Sequence, residues 1–331
     1  MFAGAPAKLP QDIGFYLVPQ FSMMGFAAAI EPLRSANRMS GKQLYRWRLI
    51  SRDGKPVLAS NGIAIPIDLS IADAQEFAAV AVCAGLDVER FDDRAVFAWL
   101  QRLSRHGAAV GAISTGAFVL ARAGLLDGHR CTLHWESLPA FREAFAAIAA
   151  TDELFEIDRD RFTCSGGTAA MDMMLHLIRA QHGHELAAAV SEQFIHGPMR
   201  AAGERQRLAL PERLGINHPK LLAVVAAMEA NLEEPVGRAE LARKAGLSPR
   251  QIERLFEKYL GARPMHYYQT LRLNRARRLL LQTDLSILEV GLACGFKSAS
   301  HFSKSYRESF NRSPREERLI RRASPHQRLV W

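Results

Sequence analysis

The chain is predicted to fold as an α/β domain built on a mostly parallel sheet, followed by an all-α domain carrying two helix-turn-helix motifs. Three observations predict this. Strand-like and helix-like stretches alternate from residue 12 to about residue 195, the pattern of a layered α/β domain. A sequence pattern centred on Gly246 returns around Gly295. Charge is unevenly divided: residues 1–203 carry 19 Lys+Arg against 21 Asp+Glu, net −2, whereas residues 204–331 carry 24 against 13, net +11. A near-neutral domain joined to one that meets a polyanion fits that division. The expected domains are 10–200 and 219–320, with a charged, weakly periodic linker at 201–218 that contains Pro211.

In the first domain, IGFYLVP (13–19) is a continuous apolar run, as in a buried parallel strand. GFAAAIEPLRSAN (25–37) follows with helical spacing. YRWRLIS (45–51) alternates and reads as a strand with one wet face, and AAVAVCAG (78–85) as another buried strand. DRAVFAWLQRLSRHG (93–107) is an amphipathic helix closed by glycine. RCTLHW (130–135) and RFTCSGG (161–167) read as strands, and AAMDMMLHLIRAQHG (169–183) as a helix. Ligands bind at the carboxyl ends of strands in such sheets, which places the turns at 113–116 and 164–168 on the edge that matters.

The turn at 113–116 joins an apolar run to the helix GAFVLARAGLLDG (116–128). A strand-to-helix turn of this kind lifts a nucleophile clear of a sheet edge, and Thr115 is read as its tip. A threonine hydroxyl is far harder to ionise than a cysteine thiol, and an internal Thr lacks the terminal amine that activates threonine nucleophiles. No catalytic residue is therefore assigned. Thr115 is either a turn residue chosen for its size or a hydroxyl that hydrogen-bonds a ligand. The four cysteines, Cys83, Cys131, Cys164 and Cys294, are scattered without metal or disulfide spacing. No cofactor, metal site or membrane span is expected, and a reducing cytoplasm fits this cysteine usage.

In the second domain, PKLLAVVAAMEANLEEP (219–235) is a helix with an apolar stripe at Leu222, Val225, Met228 and Leu232. LARKAGLSPRQIERLFEKYLGARP (241–264) then aligns with VGLACGFKSASHFSKSYRESFNRSP (290–314). Gly246 matches Gly295 at an offset of 49; Ile252, Phe256, Leu260 and Pro264 match Phe302, Tyr306, Phe310 and Pro314 at an offset of 50. Each copy is a short helix, a glycine turn and a second helix, which is helix-turn-helix grammar, expected over about 238–259 and 287–310. Helical spacing turns Ile252, Leu255, Phe256, Phe302 and Tyr306 inward. It leaves Arg250, Gln251 and Arg254 outward on one recognition helix, and Ser300, His301 and Lys304 on the other. Arg, Gln, Ser and His suit base edges, whereas Lys more often meets phosphate.

The first half, through FSMMGFAAAIEPLRSAN, the turn with GAFVLARAGLLDG, and a strand ending HW, resembles the PfpI-like, class I glutamine-amidotransferase-like fold. The two tandem motifs resemble the AraC/XylS-type DNA-binding domain. Together they resemble the GlxA-type AraC regulators over nearly the whole chain. The resemblance implies a catalytically silent sensor that retains the positions of an enzyme pocket, here Glu31, Thr115 and His134. It implies a regulator, most simply an activator, that binds double-stranded promoter DNA, works with RNA polymerase and forms a homodimer through its first domain. It also implies a small amine or amino-acid effector such as glycine betaine, carnitine or arginine. Phe21 and Trp135 are candidate aromatic faces for a quaternary ammonium, with Trp135 as ordinary core the open alternative. An active amidase or hydrolase that also binds DNA is the rival, and an architectural DNA binder a further one.

Overall fold

The computed structural model describes residues 4, 6, 8–74 and 76–322, with the side chains of 320–322 excepted. The chain divides into two compact units, 1–206 and 207–331.

The first unit is a three-layered α/β domain. Its strands in chain order are β1 (Gln11–Leu17), β2 (Tyr45–Ser51), β3 (Val57–Leu58), β4 (Ala64–Ile65), β5 (Leu69–Ser70), β6 (Ala79–Cys83), β7 (Ala109–Ile113), β8 (Arg130–Thr132), β9 (Ala149–Thr151), β10 (Phe155–Asp158) and β11 (Arg161–Cys164). Its helices are α1 (Met23–Ser40), α2 (Arg94–Arg105), α3 (Ala117–Arg122), α4 (Leu138–Ala144), α5 (Ala169–His182) and α6 (His184–Gln193). Seven strands form the main sheet in the order β10-β11-β7-β6-β1-β2-β5, and every pairing is parallel except β10 with β11. The central strands β6 and β7 are buried at every position, which is why they read as unbroken apolar runs. On β2, the side chain of Arg46 faces solvent, the wet face expected of it.

Helix α2 shows how its sequence sets its ends and its face. Asp93 caps it by accepting from the amides of Ala95 and Val96, satisfying two of the donors that a helix start leaves open. Val96, Trp99, Leu100 and Leu103 are buried on one stripe, and the Trp99 indole donates to the Ala74 carbonyl at 2.7 Å.

Two expectations are corrected here. Only 130–132 of the stretch 130–135 is strand, and it pairs with β9 in a separate two-stranded sheet rather than joining the main one. The hairpin strand β10 was not anticipated. The stretch expected as a linker is also structured at both ends. The Leu154 amide donates to the Ala202 and Glu204 carbonyls, and Gln206 donates to Thr132 Oγ1 and to the Leu133 and Glu153 carbonyls at 3.0–3.1 Å. Leu210 and Leu214 pack on the core of the second unit, and Arg213 pairs with Glu229 at 2.8 Å.

The second unit is all helix among the described residues: α7 (Leu210–Leu214), α8 (Pro219–Ala230), α9 (Arg238–Lys244), α10 (Pro249–Leu260), α11 (Pro264–Gln282), α12 (Ile287–Ala293), α13 (Ala299–Phe310) and α14 (Pro314–Arg322). The pairs α9–α10 and α12–α13 are the two helix-turn-helix motifs, and α11 joins them. The buried stripe of α8 is Leu221, Val224, Val225 and Met228; Leu222 and Leu232, expected in it, are only half-buried. Both motif glycines hold left-handed backbone, Gly246 at φ 61° and Gly295 at φ 73°, a conformation that costs glycine little. Arg272, in the middle of α11, donates to the Cys294 carbonyl at 2.7 Å and lies 4.2 Å from the Phe296 ring centre. It fastens the second motif to the connecting helix.

Candidate ligand site and nucleic-acid interface

The carboxyl ends of β6, β7 and β11 converge with the start of α1. The Ser22 amide donates to the Ala84 carbonyl, and the Ser114 amide to the Cys164 carbonyl at 3.0 Å. The tip of the strand-to-helix turn is Ser114, not Thr115. Ser114 is the residue forced to a positive φ, 61°, a backbone conformation that costs about 1–3 kcal/mol for a non-glycine and persists where the surroundings impose it. Thr115 is spent on structure: its hydroxyl donates to the Gly85 carbonyl at 2.7 Å, and the residue is 5% exposed. Gly116 completes the turn, because a Cβ there would lie 2.3 Å from the Val82 carbonyl oxygen.

Ser114 itself is 6% exposed. Its hydroxyl has no hydrogen-bond partner among the described residues, and Gly166 packs closely against the residue: an added Cβ there would lie 2.7 Å from Ser114 Cβ and 3.0 Å from its Oγ. The His134 amide donates to the Ser114 carbonyl at 3.3 Å, so the segment after β8 borders the site. The His134 imidazole is partly exposed; burial lowers its pKa below the ordinary histidine value, with Glu136 at 3.8 Å opposing the shift. Its Nδ1 accepts from the Glu136 amide, and no hydrogen bond joins it to the Ser114 hydroxyl among the described residues. Trp135 is half-buried beside it, ring centres 5.7 Å apart.

The other two expected residues lie elsewhere. Phe21 is fully buried, edge-on to Phe26 at 5.7 Å; its ring is core and presents no face to a ligand. Glu31 lies on the partly exposed side of α1 and pairs with Arg34 at 2.8 Å, with no interaction joining it to Ser114, Thr115 or His134 among the described residues. The cysteines are buried thiols. Burial pushes Cys131, Cys164 and Cys294 up to about 12 and Cys83 well above its ordinary value, so none is a thiolate at neutral pH.

The recognition helices present the expected faces. Ile252 and Phe256 of α10 are buried and Leu255 half-buried, while Arg250, Gln251 and Arg254 are exposed. Phe302 and Tyr306 of α13 are buried, while Ser300, His301 and Lys304 are exposed. Arg250, Arg254, Lys258 and Arg263 line one shallow concavity with Glu253 and Glu257, a net cationic surface suited to phosphate. Gln251 also caps its own helix. Its side-chain oxygen accepts from the Ser248 amide at 2.8 Å while Ser248 Oγ accepts from the Gln251 amide, a capping box at the start of α10.

Residues 12–180 match the model of the DJ-1/PfpI family, and residues 241–319 that of a helix-turn-helix domain. The chain is 52% identical to the HTH-type transcriptional regulator GbdR of Pseudomonas aeruginosa, over 93% of this chain and 84% of that one. It is 47% identical to CdhR of the same organism, over 94% and 93%, and 40% identical to GlxA of Rhizobium meliloti, over 95% and 97%. An AraC family transcriptional regulator from Pseudomonas putida superimposes on 56% of the chain, and on all of its own, with a TM-score of 0.51 and 32% identity. A ThiJ/PfpI family protein from Pseudomonas syringae, 18% identical, shares the fold over 73% of the chain and 91% of its own, with a TM-score of 0.52. No described helix is long and apolar enough to cross a membrane. With a DJ-1/PfpI-type sheet in the first half of the sequence, two glycine-turned helix pairs in the second and regulators as relatives over nearly the whole chain, the chain belongs to the GlxA-type AraC family of DNA-binding transcriptional regulators and is not an enzyme.

Proposed function

We propose that the protein activates catabolic genes in the cytoplasm in response to a small amine or amino-acid effector of the glycine betaine, carnitine or arginine type, bound at the site of Ser114, His134 and Trp135. The observation that carries this reading is the combination of an unpartnered hydroxyl on a strained turn with a half-buried indole beside the same sheet edge. An aromatic face attracts a quaternary ammonium, and strain of this kind gathers at ligand sites. The homodimer would form through the first unit, with RNA polymerase recruited at the promoter. A thermal-shift screen of amines and amino acids on the full chain tests the effector class, since a ligand that binds only the folded state raises the midpoint. A midpoint unmoved by every amine and amino acid tried would remove that class.

On DNA, two recognition helices joined by one connecting helix would enter successive major grooves, their centres ~10 bp apart. A subunit would thus protect a bipartite, non-palindromic half-site. Arg254→Ala is expected to cost about 1–3 kcal/mol and to relax preference in one half of the site, because it removes a possible bidentate guanine contact. Lys304→Ala is expected to weaken all sequences alike and to flatten the salt dependence by about one counterion. Footprinting and salt titration of both variants check this. Equal losses on specific and random DNA for Arg254→Ala would show that α10 does not read bases through that residue.

A further inference from the structure

We infer that residues 196–206 form a strap that couples the Ser114 turn to the second unit, with Arg200 and Asp172 as its catch; its regulatory part rests on the effector reading above. Asp172, in the first turn of α5, has a fully buried carboxylate. Among the described residues, the hydrogen bonds to this carboxylate all come from the strap. Its Oδ1 accepts from the Arg200 amide at 2.9 Å and from His196 Nε2 at 3.1 Å. Its Oδ2 accepts from Arg200 Nη2 at 2.6 Å and Nε at 3.0 Å. A buried pair of this kind adds little net stability, yet losing one partner strands a charge in the interior. The catch is therefore either made or released as a whole. Elements with two discrete arrangements are what carry coupling between separate sites.

The strap is tied to both flanks of the Ser114 turn. On one flank Arg200 Nη2 also donates to Thr168 Oγ1 at 2.6 Å. Thr168 follows Gly166, which packs on Ser114 with no room for a methyl group. On the other flank Gln206 donates to the Leu133 carbonyl at 3.0 Å. The next residue, His134, donates its amide to the Ser114 carbonyl at 3.3 Å. Between these ties the Leu154 amide donates to the Ala202 and Glu204 carbonyls, and the Leu154 carbonyl accepts from the Ser165 amide. Gln206 is the last residue of the first unit, so the strap runs directly into the second. Strain sits where the strap begins. Ile195 has φ 51° and is 96% exposed, in left-handed backbone that a β-branched residue rarely adopts. Phe194 before it packs on the core and His196 after it is held by Asp172. Releasing the catch relieves that strain, which narrows the free-energy gap between fastened and released states.

Hydrogen exchange on the full chain tests the coupling without any ligand. The double variant Asp172→Asn/Arg200→Gln removes both charges, and Arg200→Lys keeps the charge on the buried carboxylate while losing the planar fork. In both, the amides of Arg200, Ser165 and Ser114 are expected to exchange at least roughly tenfold faster than in wild type, with β2 unchanged. A Ser114 amide as protected as in wild type while the strap exchanges faster would overturn the coupling, and so would an unaltered strap. DNA binding then tests the regulation, with glycine betaine as probe and a duplex selected by the wild-type protein from a random pool. Saturating glycine betaine is expected to change wild-type DNA affinity at least roughly fivefold, and that of either variant by less than about twofold. An equal shift in all three proteins would overturn the strap as the route. If calorimetry shows no binding of glycine betaine to the wild type, the betaine reading falls, and hydrogen exchange alone decides the strap.

Discussion

Gly116→Ala is expected to lower the melting temperature of the first unit by on the order of 10 °C and to abolish ligand binding at the Ser114 turn. Gly116 has right-handed helical backbone, φ −59° and ψ −19°, so an alanine meets no torsional objection. The objection is steric. The new methyl would lie 2.3 Å from the Val82 carbonyl oxygen and 3.2 Å from Ala112 Cβ. Both belong to the two central strands, buried at every position and paired on both sides, so neither can retreat cheaply. Overpacking of this kind costs about 3 kcal/mol at the upper end of its usual range, and each kcal/mol moves the midpoint of a domain this size by roughly 2–4 °C. The shift would also push Ser114 off its strained backbone. Scanning calorimetry of the full chain reads the first effect and ligand titration the second. A midpoint within ~3 °C of wild type would show that the turn yields to the methyl group.

Gly295→Ala should cripple the second unit, whereas Gly246→Ala, at the matching position of the other motif, should not. Both glycines have left-handed backbone, for which a side chain costs about 1–2 kcal/mol. They differ in their surroundings. A Cβ on Gly246 would meet nothing within 4 Å, whereas one on Gly295 would lie 2.5 Å from Pro235 Cγ and 2.8 Å from the Glu233 carbonyl oxygen. The clash at Gly295 involves a rigid ring and a backbone atom, so its cost adds to the torsional one, for a total of about 3 kcal/mol or more. Gly246→Ala should keep near-normal DNA binding at 25 °C, while Gly295→Ala loses it well below the wild-type midpoint. Denaturant titration of both variants, followed by operator binding, measures the contrast. Equal destabilisation would mean that the turn at Pro235 gives way.

The sequence carried the architecture because its signals are local. The bounds of β2 at 45–51 and the inward faces of α10 and α13 follow from spacing of two and of three to four residues, and the structure repeats them. Partner choice is not local. The stretch 130–135 looks like any other strand, yet its pairing with β9 outside the main sheet depends on residues some twenty positions away. The one-residue error at the turn has a similar origin. Ser114 and Thr115 are both small hydroxyl residues, and only the backbone, through a positive φ at 114 and the Thr115 bond to Gly85, separates their roles. Phe21 was misplaced because an aromatic beside a predicted sheet edge can face either the pocket or the core, and packing against Phe26 decides for the core. The capping by Gln251 follows from Ser248 and Gln251 standing at capping-box spacing, and the hydrogen bonds show the cap is made.

The exposed faces of α10 and α13 bear on how such a protein diversifies. The side chains of Arg250, Arg254, Ser300 and Lys304 make no hydrogen bond or ion pair with the rest of the molecule among the described residues, so exchanging any of them should change folding stability by no more than about 0.5 kcal/mol. Gln251 and His301 are the exceptions: replacing Gln251 dismantles half of a helix cap, and the His301 ring packs beside Phe296, ring centres 5.7 Å apart. The other four side chains can therefore be exchanged almost without penalty to the scaffold, while Gln251 is held by the helix it begins. On the proposed reading of DNA, single substitutions on these faces would change promoter choice without a prior gain in fold stability.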